Sequence, residues 1–219
     1  MLKERLDAIF QEWPQLRYGY LHTDGSKFDQ LYGTALVFAV PYRDQISLEN
    51  YSKDAMAQER SACNQIIEII TGKIRQLLEE QQISCYVPVV RRNEENDFVV
   101  EFPLKYAAAR AGLGWIGKND LLITREYGPQ VRLAGILMDA ALPAADVPVT
   151  TGCLPDCNRC VTICPAKCLS GKAWETHQTV DDRINYRSCT QYLPPNTGGK
   201  KKGPCGLCMI VCPFGKQSV

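Results

Sequence analysis

The sequence predicts an α+β fold with a mixed α/β domain over residues 1–145 and a small cysteine-rich domain over residues 146–219. Three observations lead to this division. Helical and strand patterns occur together in the first 140 residues. A proline-containing connection of low charge, residues 139–152, follows them. Beyond it, nine of the 11 cysteines of the chain lie between Cys153 and Cys212.

The first domain begins with a predicted helix and a polar connection, over residues 1–32. The apolar run from Thr34 to Val40 is followed by a proline, which is typical of a buried strand. Over residues 53–82, apolar side chains recur at steps of three and four. This spacing predicts one long helix with a single buried stripe, on which Cys63 is a core residue.

Shorter elements complete this domain. Residues Cys85 to Val90 predict an edge strand because the run contains a proline, and Lys105 to Ala111 favour a helix. Leu121 to Thr124 and Val131 to Met138 predict two further strands, joined through the turn signal Tyr127-Gly128-Pro129.

Composition narrows the functional classes. The formal net charge is +1 with acids and bases well mixed, so nothing indicates a nucleic acid or an anionic membrane as partner. The longest apolar run, Ala35 to Val40, is far shorter than the roughly 20 residues that span a bilayer. The N-terminus has early acids and no apolar signal region. We therefore expect a cytoplasmic protein without membrane association, whose clustered cysteines are metal ligands.

Two cysteine groups have the spacing of a ferredoxin. The first reads Cys153-x3-Cys157-x2-Cys160-x3-Cys164-Pro and the second reads Cys205-x2-Cys208-x3-Cys212-Pro, with Cys189 upstream. The run Cys-x2-Cys-x3-Cys-Pro is found in bacterial ferredoxins, where the cysteine before the proline ligates the other cluster. The gap between the first two cysteines is one residue longer than usual.

This rule predicts two [4Fe-4S] clusters with crossed ligation. The set called quartet one here comprises Cys153, Cys157, Cys160 and Cys212, and quartet two comprises Cys164, Cys189, Cys205 and Cys208. Zinc or a single cluster is the alternative, but two Cys-Pro endings at matching offsets favour two clusters. Cys168 could replace Cys153 as a ligand, although we favour a spare thiol packed beside a cluster.

A glycine-rich motif lies between a predicted helix and a predicted strand. Residues Gly112 to Gly117 read G-x-G-x-x-G and, with Lys118, also G-x4-G-K. Both patterns bind phosphate only where a strand precedes them and a helix follows. Here the order of the two predicted elements is reversed. We therefore interpret the motif as a tight loop. Its backbone either approaches another body, such as a cofactor or the cysteine-rich domain, or forms a plain structural turn.

The sequence identifies no clear catalytic residue. No serine triad or carboxylate pair is evident, and neither histidine has a partner at metal-ligand spacing. Asp97 and Glu101 precede a predicted helix and are weak candidates for proton donors. Such residues are more often exposed acids.

The stretch AAARAGLGWIGKNDLLITREYGPQVRLAGILMDAAL, residues 107–142, resembles the signature of epoxyqueuosine reductase and its shorter relatives. The order of CNRCVTICP, RINYRSC and CGLCMIVCP agrees with that family, and the likeness covers roughly residues 30–215. The resemblance implies a nitroreductase-like α/β domain that holds a corrinoid, beside a bacterial-ferredoxin-like domain with two [4Fe-4S] clusters. Reductive dehalogenases share this plan.

The resemblance also implies how the parts work together. Electrons pass through the clusters to the cobalt of cobalamin, and the glycine-rich loop lies near that cofactor. The cofactor-binding residues implied are Gly112, Gly114, Trp115, Gly117 and Lys118.

Three differences from the full enzyme shape the functional hypothesis. The chain ends soon after the second cysteine group, its N-terminal half is short, and Asp97 and Glu101 match the Asp-x-x-Pro setting of the family only approximately. We therefore expect tRNA not to be a partner.

The leading hypothesis is an oxidoreductase that passes electrons from a redox partner protein through two clusters to a cofactor or small molecule. The alternatives are a non-enzymatic electron-transfer protein and a reductive activator of a separate corrinoid protein.

Overall fold

A computed structural model describes residues 1–92, 98–192 and 205–215, with backbone alone for residues 90–92 and 98–99. The element order is α1 (Leu2–Gln11), β1 (Arg17–His22), β2 (Thr34–Pro41), α2 (Lys53–Glu80), β3 (Cys85–Tyr86), β4 (Val90–Arg92), β5 (Phe98–Val100), α3 (Leu104–Arg110), β6 (Trp115–Ile116), β7 (Leu122–Ile123), β8 (Val131–Met138), α4 (Arg159–Ile163), α5 (Tyr186–Gln191) and α6 (Leu207–Ile210). Helices and strands are thus mixed, as the sequence predicts.

The chain forms two compact units, each assembled from three separated segments. Unit one comprises Met1–Val40, Asn64–Leu113 and Arg132–Pro148. Unit two comprises Pro41–Cys63, Gly114–Val131 and Val149–Val219. The sequence-based division at residue 145, and the nitroreductase-like and ferredoxin-like character of the two parts, stay predictions.

The core of unit one is a four-stranded sheet in the order β1-β2-β8-β3. β1 pairs antiparallel with β2, and β3 pairs antiparallel with β8. All eight residues of β2 are buried. A strand that is covered on both faces reads as a continuous apolar run, which is why the stretch from Thr34 was recognisable in the sequence.

The long helix α2 carries the buried stripe that its periodicity predicts. Ile70, Ile74 and Leu78 are fully buried on one side, whereas Ile69 is 49% exposed. The 3.6-residue repeat places such positions on one helix face. Among the described residues, no helix is at once long enough and apolar enough to cross a membrane.

The strands differ from the predicted ones at three places. In β1 only Tyr20 and Leu21 are buried, so the alternation typical of a half-buried strand is missing. The predicted strand from Cys85 to Val90 is divided, because only its first two residues join the sheet and Val90 begins β4. β6 consists of two residues between glycines and pairs antiparallel with β7.

Two isoleucines on α2 test whether the buried stripe stabilises unit one. Ile74→Ala removes a fully buried side chain and should reduce the free energy of unfolding by about 2–5 kcal/mol, since a cavity remains. Ile69→Ala, on the exposed side, should change it by no more than about 0.5 kcal/mol. Anaerobic denaturant unfolding measures both, and equal losses would contradict the assigned helix face.

Candidate metal centre

The eight predicted ligand cysteines all lie in unit two, three of them on short helices and five in the connections between elements. The helices α4, α5 and α6 carry Cys160, Cys189 and Cys208, respectively. These helices have only four to six residues, and α4 packs against α6. The packing brings the two cysteine groups together although they are distant in sequence.

Quartet one surrounds one cavity. All four of its cysteines line one space that is partly open to solvent, together with Lys118 and other residues. Burial is the main reason that the pKa of Cys212 is raised to about 11, and a hydrogen bond from the backbone of Phe214 opposes the rise. The thiolates that raise this pKa further belong to Cys153, Cys160 and Cys157.

Quartet two forms a second group of neighbouring thiols. Burial is the main reason that the pKa of Cys208 is raised to about 12, and the thiolates that raise it further belong to Cys205, Cys189, Cys160 and Cys164. Burial also raises the pKa of Cys189, with Cys205 and Cys164 adding to the rise and a hydrogen bond from Cys168 opposing it. Neighbouring thiols in both places therefore come from both sequence groups, and Cys160 is a neighbour of Cys208 as well as of Cys212. Ligation itself stays a prediction.

Cys168 neighbours quartet two. Its Sγ lies 3.4 Å from Sγ of Cys164, and its side chain also contacts Cys189. Burial, with a contribution from Cys164, raises the pKa of the Cys168 thiol strongly. The structure thus puts Cys168 beside Cys164, whereas Cys153 is grouped with Cys157, Cys160 and Cys212.

A tight turn between β6 and β7 reaches the loop that carries Cys153 and Cys157. The Lys118 ammonium donates to the carbonyl oxygens of Pro155 at 2.7 Å, Cys157 at 3.2 Å and Leu154 at 3.5 Å. The backbone N–H of Lys118 also points to Sγ of Cys153, at 3.5 Å. One residue of the hairpin therefore holds the first cysteine loop by both its backbone and its side chain.

The next two residues of the turn contact other parts of unit two. The side-chain amide of Asn119 donates to the carbonyl oxygen of Cys208 at 3.2 Å. Asp120 forms a buried ion pair with Arg183 at 3.0 Å, and Arg183 also donates to the carbonyl oxygen of Thr179 at 3.0 Å. We call Lys118, Asn119 and Asp120 the anchoring turn.

The sequence did not predict the roles of Asn119, Asp120 and Arg183. The contact of Asn119 with Cys208 and that of Asp120 with Arg183 join residues 89 and 63 positions apart along the chain. The polar run Lys-Asn-Asp at the end of a glycine loop was the one available signal.

Two of the predicted cofactor-binding glycines, Gly114 and Gly117, pack closely against Ile123. Gly112 lies in unit one with φ +81°, and a side chain there would meet open space. A Cβ on Gly114 would overlap the carbonyl oxygen of Ile123, and one on Gly117 would overlap the side chain of the same residue. These contacts close the β6–β7 hairpin, so close backbone approach explains the glycines. A cofactor-binding role stays a prediction.

Trp115 packs beside quartet one. It is buried in an apolar cluster with Cys212, and Cys153 and Phe214 pack against this cluster. The Trp115 and Phe214 rings meet edge to face, with centroids 4.8 Å apart. The indole N–H is buried, and among the described residues it has no hydrogen-bond partner.

The donor set suits an iron–sulfur cluster. Sulfur ligands select zinc, copper(I) or iron–sulfur clusters, and N–H groups near the sulfurs stabilise the anionic cluster. An unpaired indole N–H, a buried ammonium and a backbone N–H lie around quartet one. Among the described residues, no three cysteine, histidine or acidic side chains converge as they would around a single metal ion. The thiols of each quartet are neighbours that do not converge on a single point.

Asp97 and Glu101 are the two candidate proton donors. Asp97 lies outside the described residues. Glu101 lies in unit one, where its carboxylate accepts a hydrogen bond from the hydroxyl of Tyr86 and another from the backbone N–H of Val89 at 3.4 Å. A catalytic role for either residue stays a prediction.

The chain after Cys212 lies against the turn at Gly128. Gly128 has φ +56°, and a Cβ there would overlap the carbonyl oxygen of Phe214. Both the backbone conformation and the close approach therefore require glycine.

Gly128→Ala should disrupt this contact. Strain at a positive φ costs about 1 kcal/mol, and displacement of the Phe214 backbone adds about 1–3 kcal/mol. Gly25→Ala is the matched control, because Gly25 has φ +74° with open space around it. Thermal unfolding measured anaerobically compares the two. A loss at Gly128 no larger than that at Gly25 would contradict the contact.

Comparisons with known proteins agree with the resemblance stated above. No protein-family model matches the chain. An epoxyqueuosine reductase of Lactococcus garvieae is 37% identical over 119 residues, which cover 50% of this chain and 31% of the relative. That of Escherichia coli is 33% identical over 159 residues, covering 69% and 39%. The chain thus matches less than half the length of these curated relatives.

Solved structures extend the likeness to the whole fold. Epoxyqueuosine reductase from Streptococcus thermophilus superposes with a TM-score of 0.61 at 18% identity, covering 97% of this chain and 66% of the other. A reductive dehalogenase, described with a mechanism for B12-dependent dehalogenation, gives 0.59 at 17% identity, covering 92% and 30%.

One neighbour bears on tRNA as a partner. An epoxyqueuosine reductase with an epoxyqueuosine-modified tRNA-Tyr stem loop superposes with a TM-score of 0.55 at 16% identity, covering 98% of this chain and 64% of the other. Our expectation that tRNA is not a partner is therefore not borne out. That expectation relied on the end of the chain, its short N-terminal half and the approximate match at Asp97 and Glu101, none of which describes the surface of the shared fold.

Proposed function

We propose that this chain, a homologue of epoxyqueuosine reductase that matches part of that enzyme's length, is an iron–sulfur oxidoreductase. Two [4Fe-4S] clusters would carry electrons to a substrate or a second cofactor. The observation that supports this most strongly is that Cys212 of the second sequence group lines one space with Cys153, Cys157 and Cys160 of the first. Such mixing is what crossed ligation of two ferredoxin clusters requires.

Quartet one would hold one cluster and quartet two the other. A bound cluster supplies one-electron transfer, and its potential depends on hydrogen bonds to sulfur, net charge and exposure to solvent. The chain provides the surroundings. Cys160 and Cys212 are buried, which keeps water away from part of the site. The backbone N–H of Lys118 provides a hydrogen bond toward Cys153.

The electron acceptor is proposed to be a corrinoid or a small molecule bound to this chain. A solved reductive dehalogenase that shares the fold is described as B12-dependent, which supports cobalamin. The organic chemistry would then belong to the cofactor, and the protein would position it. A redox partner protein would deliver the electrons.

A second candidate function is an electron-transfer protein without its own substrate, or a reductive activator of a separate corrinoid protein. The packing of Gly114 and Gly117 against Ile123 favours this alternative, because it accounts for the glycines without any cofactor. Anaerobic titration with cobalamin, and separately with FMN, distinguishes the two. A saturable change in the corrinoid or flavin spectrum supports the oxidoreductase, and its absence with rapid reduction of a partner protein supports the alternative.

Single cysteine variants test the ligand assignment. Cys160→Ala and Cys208→Ala should each remove one cluster, so that iron falls from about eight to about four atoms per chain. Both should also lower the thermal stability, since bound metal contributes folding energy. Cys63→Ala is the control, because Cys63 is buried on α2 and donates to the carbonyl of Pro41. Iron retained in Cys160→Ala or Cys208→Ala would contradict the assignment.

The comparison of Cys153 with Cys168 decides which of them is a ligand. Cys153→Ala should lower the iron content because it belongs to quartet one. Cys168→Ala should retain both clusters, since Cys168 is a buried thiol beside Cys164. Anaerobic iron and sulfide analysis measures both variants. The opposite result would assign the fourth position to Cys168.

A further inference from the structure

Lys118 is a buried cation without a carboxylate partner among the residues that the structure describes. The residue is 8% exposed, and its ammonium contacts three backbone carbonyl oxygens. Within the described part of the chain, no carboxylate forms an ion pair with it. Burying an ammonium costs several kcal/mol unless opposite charge compensates it. Carbonyl dipoles offset part of this cost, and an anion nearby would offset the rest.

The cavity of quartet one supplies the place for that anion. Lys118 lines this cavity together with the four cysteines. Its backbone N–H is directed to Sγ of Cys153. Four thiolates around an iron–sulfur core give the bound group a net negative charge. Lys118 therefore lies at the wall of the space that an anionic cluster would fill, and its ammonium is bound to the loop that carries Cys153 and Cys157.

We infer that Lys118 is the counter-charge that sets the reduction potential of the cluster held by quartet one, an inference that rests on the proposed clusters. One added electron makes the cluster more negative. A cation nearby stabilises the reduced form more than the oxidised form, and low dielectric surroundings strengthen the effect. Lys118 thus raises the potential of this cluster. Lys118 would act through the cluster, by its charge, and not by direct contact with a substrate.

The three hydrogen bonds of Lys118 suggest a competing role in which it merely holds the cysteine loop. The two roles depend on different properties of the side chain. Loop support needs N–H donors, which a neutral amide retains. Control of the potential needs positive charge, which arginine retains. Lys118→Gln and Lys118→Arg therefore separate charge from hydrogen bonding.

An exposed cation at the same cavity gives a matched control. Arg159 also lines the space around quartet one, but its side chain is exposed. Solvent and salt screen an exposed charge far more than a buried one. Arg159→Gln should therefore shift the potential much less than Lys118→Gln, although both remove one positive charge.

The experiment is an anaerobic redox titration of the purified protein, monitored by electron paramagnetic resonance. Lys118→Gln should move one of the two cluster transitions to a more negative potential. The expected change is at least tenfold in the reduction equilibrium, or about 59 mV for one electron. Lys118→Arg and Arg159→Gln should leave both transitions close to those of the wild type.

The outcomes separate the inference from the proposed function. Wild-type protein with clearly fewer than about eight irons would overturn the proposed function and the inference with it. Normal iron with an unmoved or more positive potential in Lys118→Gln would overturn the inference alone. Loss of one cluster in Lys118→Gln but not in Lys118→Arg would support the need for charge. Loss in both would assign Lys118 to loop support and overturn the inference.

Discussion

The cysteine-bearing segments of unit two have little regular structure of their own, and the anchoring turn makes long-range contacts with them. The three helices that carry ligand candidates have four to six residues each. Helices this short are unstable in isolation, because the free-energy cost of nucleation exceeds the stabilisation from the hydrogen bonds of a single turn. Lys118, Asn119 and Asp120 contact three regions of this unit through hydrogen bonds and one buried ion pair. The β6–β7 hairpin that presents them closes because Gly114 and Gly117 allow close packing on Ile123.

How much the sequence reveals depends on how local each signal is. The repeat along α2 and the apolar run of β2 are contained in single stretches, and both elements appear where they were predicted. The spacing of the cysteine groups is equally local. The contacts of Asn119 with Cys208 and of Asp120 with Arg183 join residues 63 to 89 positions apart, and no periodicity marks them. β1 and β6 were missed because one lacks alternation and the other has two residues.

The glycine-rich loop illustrates the difference between a resemblance and a contact. The resemblance implies that this loop lies near a corrinoid. In the structure, Gly114 and Gly117 pack closely on Ile123, which explains these two glycines without a cofactor. Lys118 and Trp115 lie beside quartet one. Both roles are compatible, since one hairpin has two faces. The matched region covers less than half the length of the curated relatives, and the likeness to them concerns that region alone.

The most direct test of crossed ligation is the iron content of two double variants, purified anaerobically. In Cys160→Ala/Cys212→Ala both changes fall in quartet one, so about four irons should remain. In Cys160→Ala/Cys164→Ala the changes fall in different quartets, so almost no iron should remain, although the two cysteines are sequence neighbours. The reverse result, with iron retained in the second variant and lost in the first, would contradict the account.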